Sequence, residues 1–418
     1  MRILYNLAVQ LMDLGIRLAA AFNPKARLWV EGRRDIFRRM KEKIDASAPL
    51  IWFHAASLGE FEQGRPLIEA FRQAHPDYKI LVTFYSPSGY EIRKNYAGAD
   101  YIFYLPSDTP SHVRQFMSIV RPRIAVFIKY EFWVNYLLAL QKAGVHTYLI
   151  SAIFRPEQAF FRWYGSLMRR VLGAFDALFV QNETSKTLLA GIGFRNVSVT
   201  GDTRFDRVYA IAQAAKELPA VARFAAGHRV LVAGSTWPPD EELLLKLIRD
   251  AEPGTKFIIA PHEIEENRIQ KMVAQCGART LRYTELNAES DLEGTSVLII
   301  DTIGILSSVY RYGHWAYIGG GFGVGIHNIL EAATFGLPLA FGPRYEKFQE
   351  ARELIQAGGA HSIATFEELF DWFQTLSTDA ERYTASSTTC RDYVLTHKGA
   401  TAQIMQRIGQ DLEQKTNA

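Results

Sequence analysis

The amino-acid sequence predicts an α/β protein with two similar, doubly wound domains. From residue 45 onward, short apolar segments alternate with helical patterns, which is typical of a mostly parallel sheet covered on both faces. The alternation gives way to a mixed-charge helical segment at about 204–227 and then restarts. The 418 residues also exceed what one hydrophobic core usually organises. We therefore expect two domains that face each other across a cleft.

The predicted strands are short apolar runs that end in polar or glycine-containing turns. They lie at 50–54, 79–84, 123–128, 146–150, 176–180 and 196–200 in the first domain, and at 229–234, 256–260, 296–300, 315–318 and 337–341 in the second. These strands define domains at 45–205 and 206–395, preceded by an N-terminal segment at 1–44. An amphipathic helix within 396–418 is expected to pack back toward the first domain.

Composition describes an ordinary folded protein. Hydrophobic residues make up 48% of the chain and charged residues 22%, and 30 glycines fit a fold rich in strand-to-helix turns. The two cysteines, Cys276 and Cys390, are too few and too isolated for a disulfide framework or a zinc site. We expect both to be buried and the protein to work in a reducing compartment.

The first 22 residues predict a membrane-associating helix. Its polar residues form one narrow stripe, which leaves a wide apolar arc. The stripe consists of Arg2, Asn6, Gln10, Asp13 and Arg17. Such a helix is more consistent with lying in a bilayer interface than with spanning it, and the basic residues between Lys25 and Lys43 favour an anionic, cytoplasmic membrane face. The alternatives are a helix packed on the protein's own surface and a signal peptide, which the arginines inside the run disfavour.

The segment from Leu50 to Glu62 is the first candidate site. An apolar strand ending at His54 leads into small residues and then into Glu60, where a helix can begin. Open α/β folds bind ligands at the carboxyl ends of their strands, so Glu60 is placed for chemistry. The alternative is structural: Ser57 caps the helix and Glu60 is its partner in a capping box.

The second candidate site is the glycine-rich stretch 319–325, which follows the strand at 315–318. We expect a helix to open near His327 or Asn328, so that backbone N–H groups and the positive helix end form a phosphate site. Glu331 would lie one turn inside that helix, where it could hold ribose hydroxyls. The turns at 234–237 and 301–306 each end a strand and begin a helix, and they aim at the same site. Tight strand–helix packing is the alternative explanation for the glycines.

Taken together, these motifs resemble the Kdo transferases, the 3-deoxy-D-manno-octulosonic acid transferases of lipopolysaccharide synthesis. Residues 54–60 are similar to the family's H-x-x-S-x-G-E, and residues 130–135 to its E-L-W-P-N segment. Residues 201–206 resemble its interdomain junction, with arginine in place of lysine. Residues 301–304, 319–320, 327–331 and 341–343 match the donor half. The resemblance covers nearly the whole chain, with these motifs in the family's order and spacing.

The resemblance implies a GT-B glycosyltransferase that is inverting and metal-independent, with two Rossmann-like domains. It would move Kdo from CMP-Kdo to a lipid A precursor (lipid IVA) at the cytoplasmic side of the cell inner membrane, held there peripherally or by an N-terminal anchor. No cofactor and no nucleic-acid partner are implied. Glu60 would be the general base. Glu131 would support Glu60 or bind acceptor, and a structural ion pair is the alternative role.

The resemblance also implies which residues meet the two substrates. On the donor side, the CMP-binding residues would be Ser235, Thr236, Pro261, His262, Ile303, Gly304, Ile305, Gly325, His327, Asn328, Ile329, Leu330 and Glu331. On the acceptor side, they would be Ser57, Gly59 and Arg65.

Three positions depart from the family pattern. The family's Pro-Arg-His is here Pro261-His262-Glu263, so a cation that meets the nucleotide is missing or is supplied elsewhere. The second glycine pair is Gly325-Ile326, and Ile305 replaces the glutamate of a Gly-Glu-Leu turn.

Three other functions fit parts of the sequence. Another membrane-associated GT-B transferase using a UDP-sugar should lack H-x-x-S-x-G-E at the end of the first strand. A sugar-nucleotide epimerase has no need of an apolar N-terminal helix. A non-catalytic sugar-nucleotide binding protein would tolerate Glu60→Ala.

Overall fold

The computed structural model describes residues 1–277, 279–287 and 289–416. The chain divides into two compact units, Met1–Arg207 with Lys398–Ala418, and Val208–His397. Each unit is built on one seven-stranded parallel sheet with helices on its faces. This architecture confirms the predicted α/β class with two Rossmann-like units.

The sheet of the first unit has the strand order β3-β2-β1-β4-β5-β6-β7, with every pair parallel. Its strands are β1 Leu50–Ala55, β2 Lys79–Phe84, β3 Tyr101–Tyr104, β4 Ile124–Ile128, β5 His146–Ala152, β6 Ala177–Val180 and β7 Val197–Val199. The order changes direction between β1 and β4. In open α/β sheets, the carboxyl ends of the strands at this switch point form the ligand site.

Helices connect these strands and flank the sheet. They are α1 Arg2–Ala19, α2 Pro24–Gly32, α3 Ile36–Lys43, α4 Leu58–Ala74, α5 Pro87–Arg93, α6 Pro110–Val120, α7 Val134–Lys142, α8 Ser166–Leu172, α9 Glu183–Gly191 and α10 Arg204–Gln213, with a 3-10 turn at Ala159–Phe161. Alternate residues of β1 enter different cores, because side chains alternate across a strand. Trp52 belongs to the core on one face of the sheet, and Phe53 to the core on the other.

The second unit repeats this plan. Its strands are β8 Arg229–Thr236, β9 Thr255–Pro261, β10 Thr280–Arg282, β11 Val297–Ile299, β12 Trp315–Ile318, β13 Leu339–Phe341 and β14 Ala360–Ser362. Its helices are α11 Pro219–Ala225, α12 Pro238–Asp250, α13 Glu266–Cys276, α14 Leu306–Val309, α15 Leu330–Thr334, α16 Gln349–Ala357, α17 Phe366–Thr378 and α18 Ala380–His397, with 3-10 turns at Tyr283–Glu285 and Tyr310–Tyr312. The strand order β10-β11-β9-β8-β12-β13-β14 places the switch point between β8 and β12.

The C-terminal helix, α19 Ala400–Thr416, packs on the first unit. Ile404 and Ile408 are buried in the core that α4 covers, and the Tyr148 hydroxyl donates to Asp411 Oδ2 at 2.6 Å. Asp206 accepts hydrogen bonds from the backbone N–H of Gly399 at 2.5 Å and of Thr401 at 2.7 Å. The predicted junction motif therefore has a structural role here, since its last residue caps α19.

The first helix contacts the protein through its polar stripe. Arg2 Nε donates to Asn135 Oδ1 at 3.1 Å, and Asn6 Oδ1 accepts from Asn135 Nδ2 at 2.8 Å. The Tyr5 hydroxyl donates to Asp108 Oδ2 at 2.6 Å. The apolar arc points outward, and Leu4 and Leu11 are 69% and 58% exposed. Among the described residues, no single helix is long and apolar enough to cross a membrane, whereas α1 and α2, bent by 119°, meet the length and composition requirement as a pair.

Three predicted features differ from the structure. The helical segment at 204–227 is two helices, because α10 ends at Gln213 and Pro219 opens α11. The helix expected near His327 begins at Leu330. Asn328 Oδ1 accepts from the Leu330 backbone N–H at 3.1 Å, a local turn that competes with an earlier helix start. The strands β3, β10 and β14 were not predicted.

Candidate active site

Glu60 lies at the switch point of the first sheet, in the first turn of α4. Its Oε2 accepts a hydrogen bond from the Ala56 backbone N–H at 2.6 Å, so the carboxylate folds back over the turn that follows β1. Ser57 is the N-cap residue of α4, but its side chain makes no capping hydrogen bond. The capping box considered as the alternative for Ser57 and Glu60 is therefore not formed.

The protonation of Glu60 is set by its surroundings. Burial raises the pKa of Glu60 to about 6, and the neighbouring charge of Glu131 acts in the same direction. The Ala56 N–H acts against this shift because it favours the ionised carboxylate. A carboxylate with a pKa near 6 is ionised at neutral pH and is a stronger base than an ordinary glutamate.

Glu131 follows β4, the strand on the other side of the switch point. It is only 7% exposed and lies in a cluster with His54 and Trp133. His54 Nε2 is 2.9 Å from Glu131 Oε2, and Trp133 Nε1 donates to the same oxygen at 2.6 Å. Glu131 is thus held by two ring nitrogens in a position from which its charge reaches Glu60.

His54 connects this cluster to the neighbouring strand β2. The ring is fully buried, and its Nδ1 lies 2.8 Å from Thr83 Oγ1. Nδ1 also lies 3.1 Å from the Thr83 carbonyl oxygen, and Nε2 lies 3.0 Å from Trp133 Nε1. Neither His54 nor Trp133 was predicted as a site residue. The available signal was their position inside the two motifs that carry Glu60 and Glu131.

The predicted acceptor residues are only partly brought together. Ser57 and Gly59 flank the turn that carries Glu60, and a β-carbon placed on Gly59 would meet no atom within 4 Å. Arg65 lies farther along α4, where its Nε donates to Glu69 at 2.6 Å and its guanidinium lies over the Tyr96 ring. Arg65 is therefore engaged on the outer surface of α4 rather than beside Glu60.

In the second unit, the turn after β8 is fixed by Asp240. Its Oδ2 accepts from the backbone N–H of Trp237 at 2.9 Å and of Gly320 at 3.0 Å, and its Oδ1 accepts from the Tyr317 hydroxyl at 2.8 Å. The helix that follows opens with Pro238 and Pro239, which have no N–H to donate. Pro238 and Pro239 therefore cannot donate to an anion, and the predicted role of the turn at 234–237 stays a prediction.

The glycine-rich loop is packed closely against its neighbours. A β-carbon on Gly319 would lie 2.2 Å from the Ser235 carbonyl oxygen, and one on Gly321 would lie 2.6 Å from Gly342. The backbone N–H groups of Gly319 and Gly323 donate to carbonyl groups of the protein. Tight packing thus explains several of these glycines, and the phosphate-binding role of the loop stays a prediction.

Three aromatic side chains of the predicted donor site form a stack. The ring of His262 lies 4.8 Å from that of Trp237 and 4.3 Å from that of His327. Trp237 Nε1 also donates to His327 Nε2 at 3.1 Å. An indole can only donate, so the proton of a neutral His327 is on Nδ1. Burial and the nearby His262 lower the pKa of His327 to about 4, so that it is a neutral N–H donor at pH 7.

The remaining donor residues differ in exposure. Asn328 Nδ2 donates to Glu331 Oε1 at 3.0 Å, while the side chains of Ile329 and Leu330 are buried in the core. Ile303 is 85% exposed, in the turn that continues through Gly304 and Ile305. Ser235 has a φ of 53° where β8 bulges against β9, and Thr236 pairs with Pro261. Gly325 also adopts a positive φ, of 138°.

Arg268 is a cation close to the position of the missing family arginine. Its guanidinium lies 5.8 Å from the Trp237 ring and donates to the Thr236 carbonyl at 3.0 Å. It also pairs with Glu241 at 2.6 Å. Arg268 therefore supports the turn after β8. In the part of the chain that the structure describes, no group of three or more His, Cys, Asp and Glu side chains is placed to hold a metal ion.

Comparison with known proteins bears on both units. Residues 31–207 match the family model described as 3-deoxy-D-manno-octulosonic-acid transferase (kdotransferase). This part of the chain is therefore similar to a Kdo transferase domain. This domain contains Glu60, Glu131 and the cluster around them.

The similarity to Kdo transferases extends beyond that domain. The 3-deoxy-D-manno-octulosonic acid transferase of Bordetella pertussis is 29% identical over 382 residues, which are 86% of this chain and 87% of the relative. The transferase of the same description from Aquifex aeolicus is 27% identical, over 77% of this chain and 83% of the relative. The UDP-GlcNAc 2-epimerase of Neisseria meningitidis has a TM-score of 0.60 at 15% identity, over 86% of this chain and 100% of that one. At this identity it shares the GT-B-like fold alone.

The raised pKa of Glu60 predicts a gain in stability for Glu60→Gln. The pKa of Glu60 is about 6 in the native state and 4.5 in the unfolded chain. The protonated carboxyl group therefore contributes stability that is fully present below pH 4.5 and is lost as the pH rises through 6. At pH 7.5 the ionised side chain therefore destabilises the native state, by at most about 2 kcal/mol. We expect Glu60→Gln to raise the thermal midpoint at pH 7.5 and to leave it nearly unchanged at pH 4.5. If Glu60→Gln and the wild type had the same thermal midpoint at pH 7.5 as well as at pH 4.5, the assigned pKa would be contradicted.

Proposed function

We propose that this protein transfers Kdo from CMP-Kdo to a lipid A precursor such as lipid IVA, by an inverting and metal-independent mechanism at the cytoplasmic face of the inner membrane. The observation that carries the proposal is the Glu60 carboxylate, which lies at the switch point of the first sheet beside a buried second carboxylate. The Kdo transferase domain and the relatives of that description support Kdo as the transferred sugar.

In the proposed reaction, Glu60 is the general base. A hydroxyl oxygen of the acceptor attacks the anomeric carbon of Kdo while Glu60 takes its proton, and the bond between that carbon and the phosphate oxygen breaks. The electron pair of this bond leaves with CMP. Attack opposite to the leaving group in a single step inverts the anomeric configuration. A sugar hydroxyl is too weak an acid to ionise alone at neutral pH, so the base is required.

Glu131, His54 and Trp133 act on the base rather than on the sugar. The charge of Glu131 makes Glu60 more basic, and the hydrogen bonds from His54 and Trp133 keep Glu131 in place. We therefore assign Glu131 the supporting role and His54 a positioning role.

On the donor side, His327 is suited to bind the CMP phosphate through a neutral N–H. Its Nε2 is occupied by the Trp237 indole, which leaves the Nδ1–H for a ligand. A fixed dipole of this kind stabilises the leaving phosphate without a charge change on the protein. Asn328 and Glu331, which are hydrogen bonded to each other, would bind the nucleoside hydroxyls.

The decisive assay uses detergent-solubilised protein, CMP-Kdo generated in situ and a tetraacyl lipid A precursor. We expect CMP release only when both substrates are present and a loss of at least about 1,000-fold in kcat for Glu60→Gln, since the base is removed while its shape is kept. Turnover of a UDP-sugar instead would favour the alternative transferase, and C2 epimerisation of UDP-GlcNAc would favour an epimerase. Unchanged turnover in Glu60→Gln would contradict the base assignment.

The pH dependence tests the role of Glu131. Activity of the wild type should fall as the pH drops below about 6, where Glu60 becomes protonated. Glu131→Gln removes a charge that raises the pKa of Glu60, so the acid limb of kcat/KM should move to lower pH. Glu157→Gln, a change at an exposed glutamate, is the matched control and should leave the profile in place. An unshifted limb in Glu131→Gln would exclude this electrostatic role.

The open space beside Gly59 predicts a steric effect on the acceptor. Gly59→Ala introduces a methyl group that meets no atom within 4 Å, and alanine favours a helix by about 0.5–1 kcal/mol. We expect unchanged or higher stability and a several-fold increase in KM for the acceptor. Gly191→Ala in α9, where the added carbon also meets no atom, is the control. Unaltered kinetics in Gly59→Ala would show that the acceptor does not use this space.

The outward apolar face of α1 predicts binding to anionic membranes. Leu4→Glu with Leu11→Glu replaces two exposed leucines, and each leucine buried in a bilayer contributes about 1.5–3 kcal/mol. Co-sedimentation with vesicles containing anionic phospholipid should therefore fall at least about tenfold. Leu395→Glu, at an exposed leucine of the second unit, serves as the control. Equal sedimentation of both variants would exclude α1 as the binding element.

A further inference from the structure

A groove next to the N-terminal helices carries features that the proposed chemistry does not use. It has a volume of about 650 Å³ and lies among α1, α2, α3 and the connection from β3 to α6. We call it the arginine groove. Its lining includes Arg17, Arg34 and Arg38, together with Trp29, Phe37 and His112.

The charge of the arginine groove is positive. Four arginines line it, namely Arg17, Arg33, Arg34 and Arg38, against the two carboxylates of Glu31 and Asp35. Arg38 lies 3.4 Å from Asp35. Within the described part of the chain, Arg17 and Arg34 form no ion pair, and both residues are exposed. Their charges are thus available to an anionic ligand.

Arg33 has a different, structural role. Its guanidinium lies 3.8 Å from the Trp29 ring and donates to the carbonyl groups of Leu105 and Tyr85, each at 2.8 Å. Burial lowers the pKa of Arg33 to about 10, which leaves it charged at pH 7. Arg33 therefore fixes the inner wall, and its aromatic neighbour Trp29 gives that wall an apolar surface.

The position of the groove connects the membrane-facing helix to the catalytic edge of the sheet. Arg17 and Leu14 of α1 line an adjoining cavity of about 300 Å³ that shares Arg17 and His112 with the groove. Pro106 and Ser107, at its inner end, follow β3, which is two strands from β1 in the sheet. Neighbouring strands are about 4.8 Å apart, so this end is roughly 10 Å along the edge from the turn that carries Glu60.

An unbroken series of side-chain contacts covers that interval. The Arg33 guanidinium lies 5.1 Å from the Tyr85 ring, and the Tyr85 ring lies 4.8 Å from that of Trp133. Trp133 in turn donates to Glu131. A ligand lying along this edge would meet arginines at one end and the catalytic carboxylates at the other.

We propose that the arginine groove binds a phosphate group of the lipid acceptor, at the end of the acceptor away from the reacting hydroxyl. The inference rests on the proposed function and adds a subsite to it. Arg17, Arg34 and Arg38 match a phosphate in charge, and arginine binds phosphate through paired N–H donors. The apolar surface of Trp29 and Phe37 beside them fits a ligand that is amphiphilic, as a phosphorylated glycolipid is. The volume exceeds what a free phosphate fills, which favours the larger ligand.

The test compares two acceptors in micelles of a neutral detergent, where no anionic lipid surface is present. One is the phosphorylated precursor, and the other is the same lipid after phosphatase treatment. For Arg34→Gln with Arg38→Gln we expect at least a tenfold higher KM for the phosphorylated acceptor, with kcat and the KM for CMP-Kdo unchanged. With the dephosphorylated acceptor, the variant and the wild type should have the same KM.

Lys41→Gln with Lys43→Gln is the matched control, since these exposed lysines of α3 belong to the same basic segment and do not line the groove. An equal effect of the lysine pair, or an equal effect of the arginine pair on both acceptors, would overturn the groove assignment in favour of general electrostatic attraction. Equilibrium binding of both lipids, followed through tryptophan fluorescence, separates the two proposals. A phosphate-dependent loss of binding without any turnover would retain the groove and reject the transferase.

Discussion

The parallel pairing of β1 with both β2 and β4 is the constraint on which the first unit depends. In this register His54 lies opposite Thr83 on one side and Phe127 on the other, so its ring bridges Thr83 to Glu131. Slipping either pair by one residue would turn His54 to the opposite face of the sheet. The apolar side chains that alternate along β1 enter two different cores and oppose such a slip. The packing of the sheet thus fixes the position of the second carboxylate.

The same packing creates an electrostatic conflict that suits catalysis. Two carboxylates share a partly buried edge, and the fold pairs only one of them fully with donors. Glu131 receives His54 and Trp133, whereas Glu60 receives a single backbone N–H. Burial and the nearby charge of Glu131 raise the pKa of Glu60, and the hydrogen bond from Ala56 only partly offsets this shift. Sites that hold a group in its less favourable charge state reduce stability in exchange for reactivity. If several hydrogen-bond donors surrounded Glu60, both the loss of stability and the gain in reactivity would disappear.

Much of this could be predicted from the sequence, because buried parallel strands appear as continuous apolar runs and Glu60 follows the first of them. The roles of His54 and Trp133 could not, since they depend on contacts between strands that are distant along the chain. The predicted start of α15 was wrong because the Asn328 side chain accepts a hydrogen bond from the Leu330 backbone N–H and so competes with an earlier helix start. The amphipathic pattern of α1 was evident, but pattern alone does not reveal which side meets the protein. Here the polar side does, through Arg2, Tyr5 and Asn6.

That orientation connects α1 to the segment that carries Glu131. Asn135, which binds Arg2 and Asn6, lies in the first turn of α7, four residues after Glu131. Asp108 binds Tyr5 and also accepts from the backbone N–H of Asn135 and Tyr136. Because Asp108 is almost fully buried, these hydrogen bonds are shielded from water and are costly to break. A helix attached in this way cannot change its tilt without disturbing the loop that carries Glu131. If α1 lies in a bilayer, as we propose, these hydrogen bonds would hold the segment that carries Glu131 at a fixed height above the lipid surface.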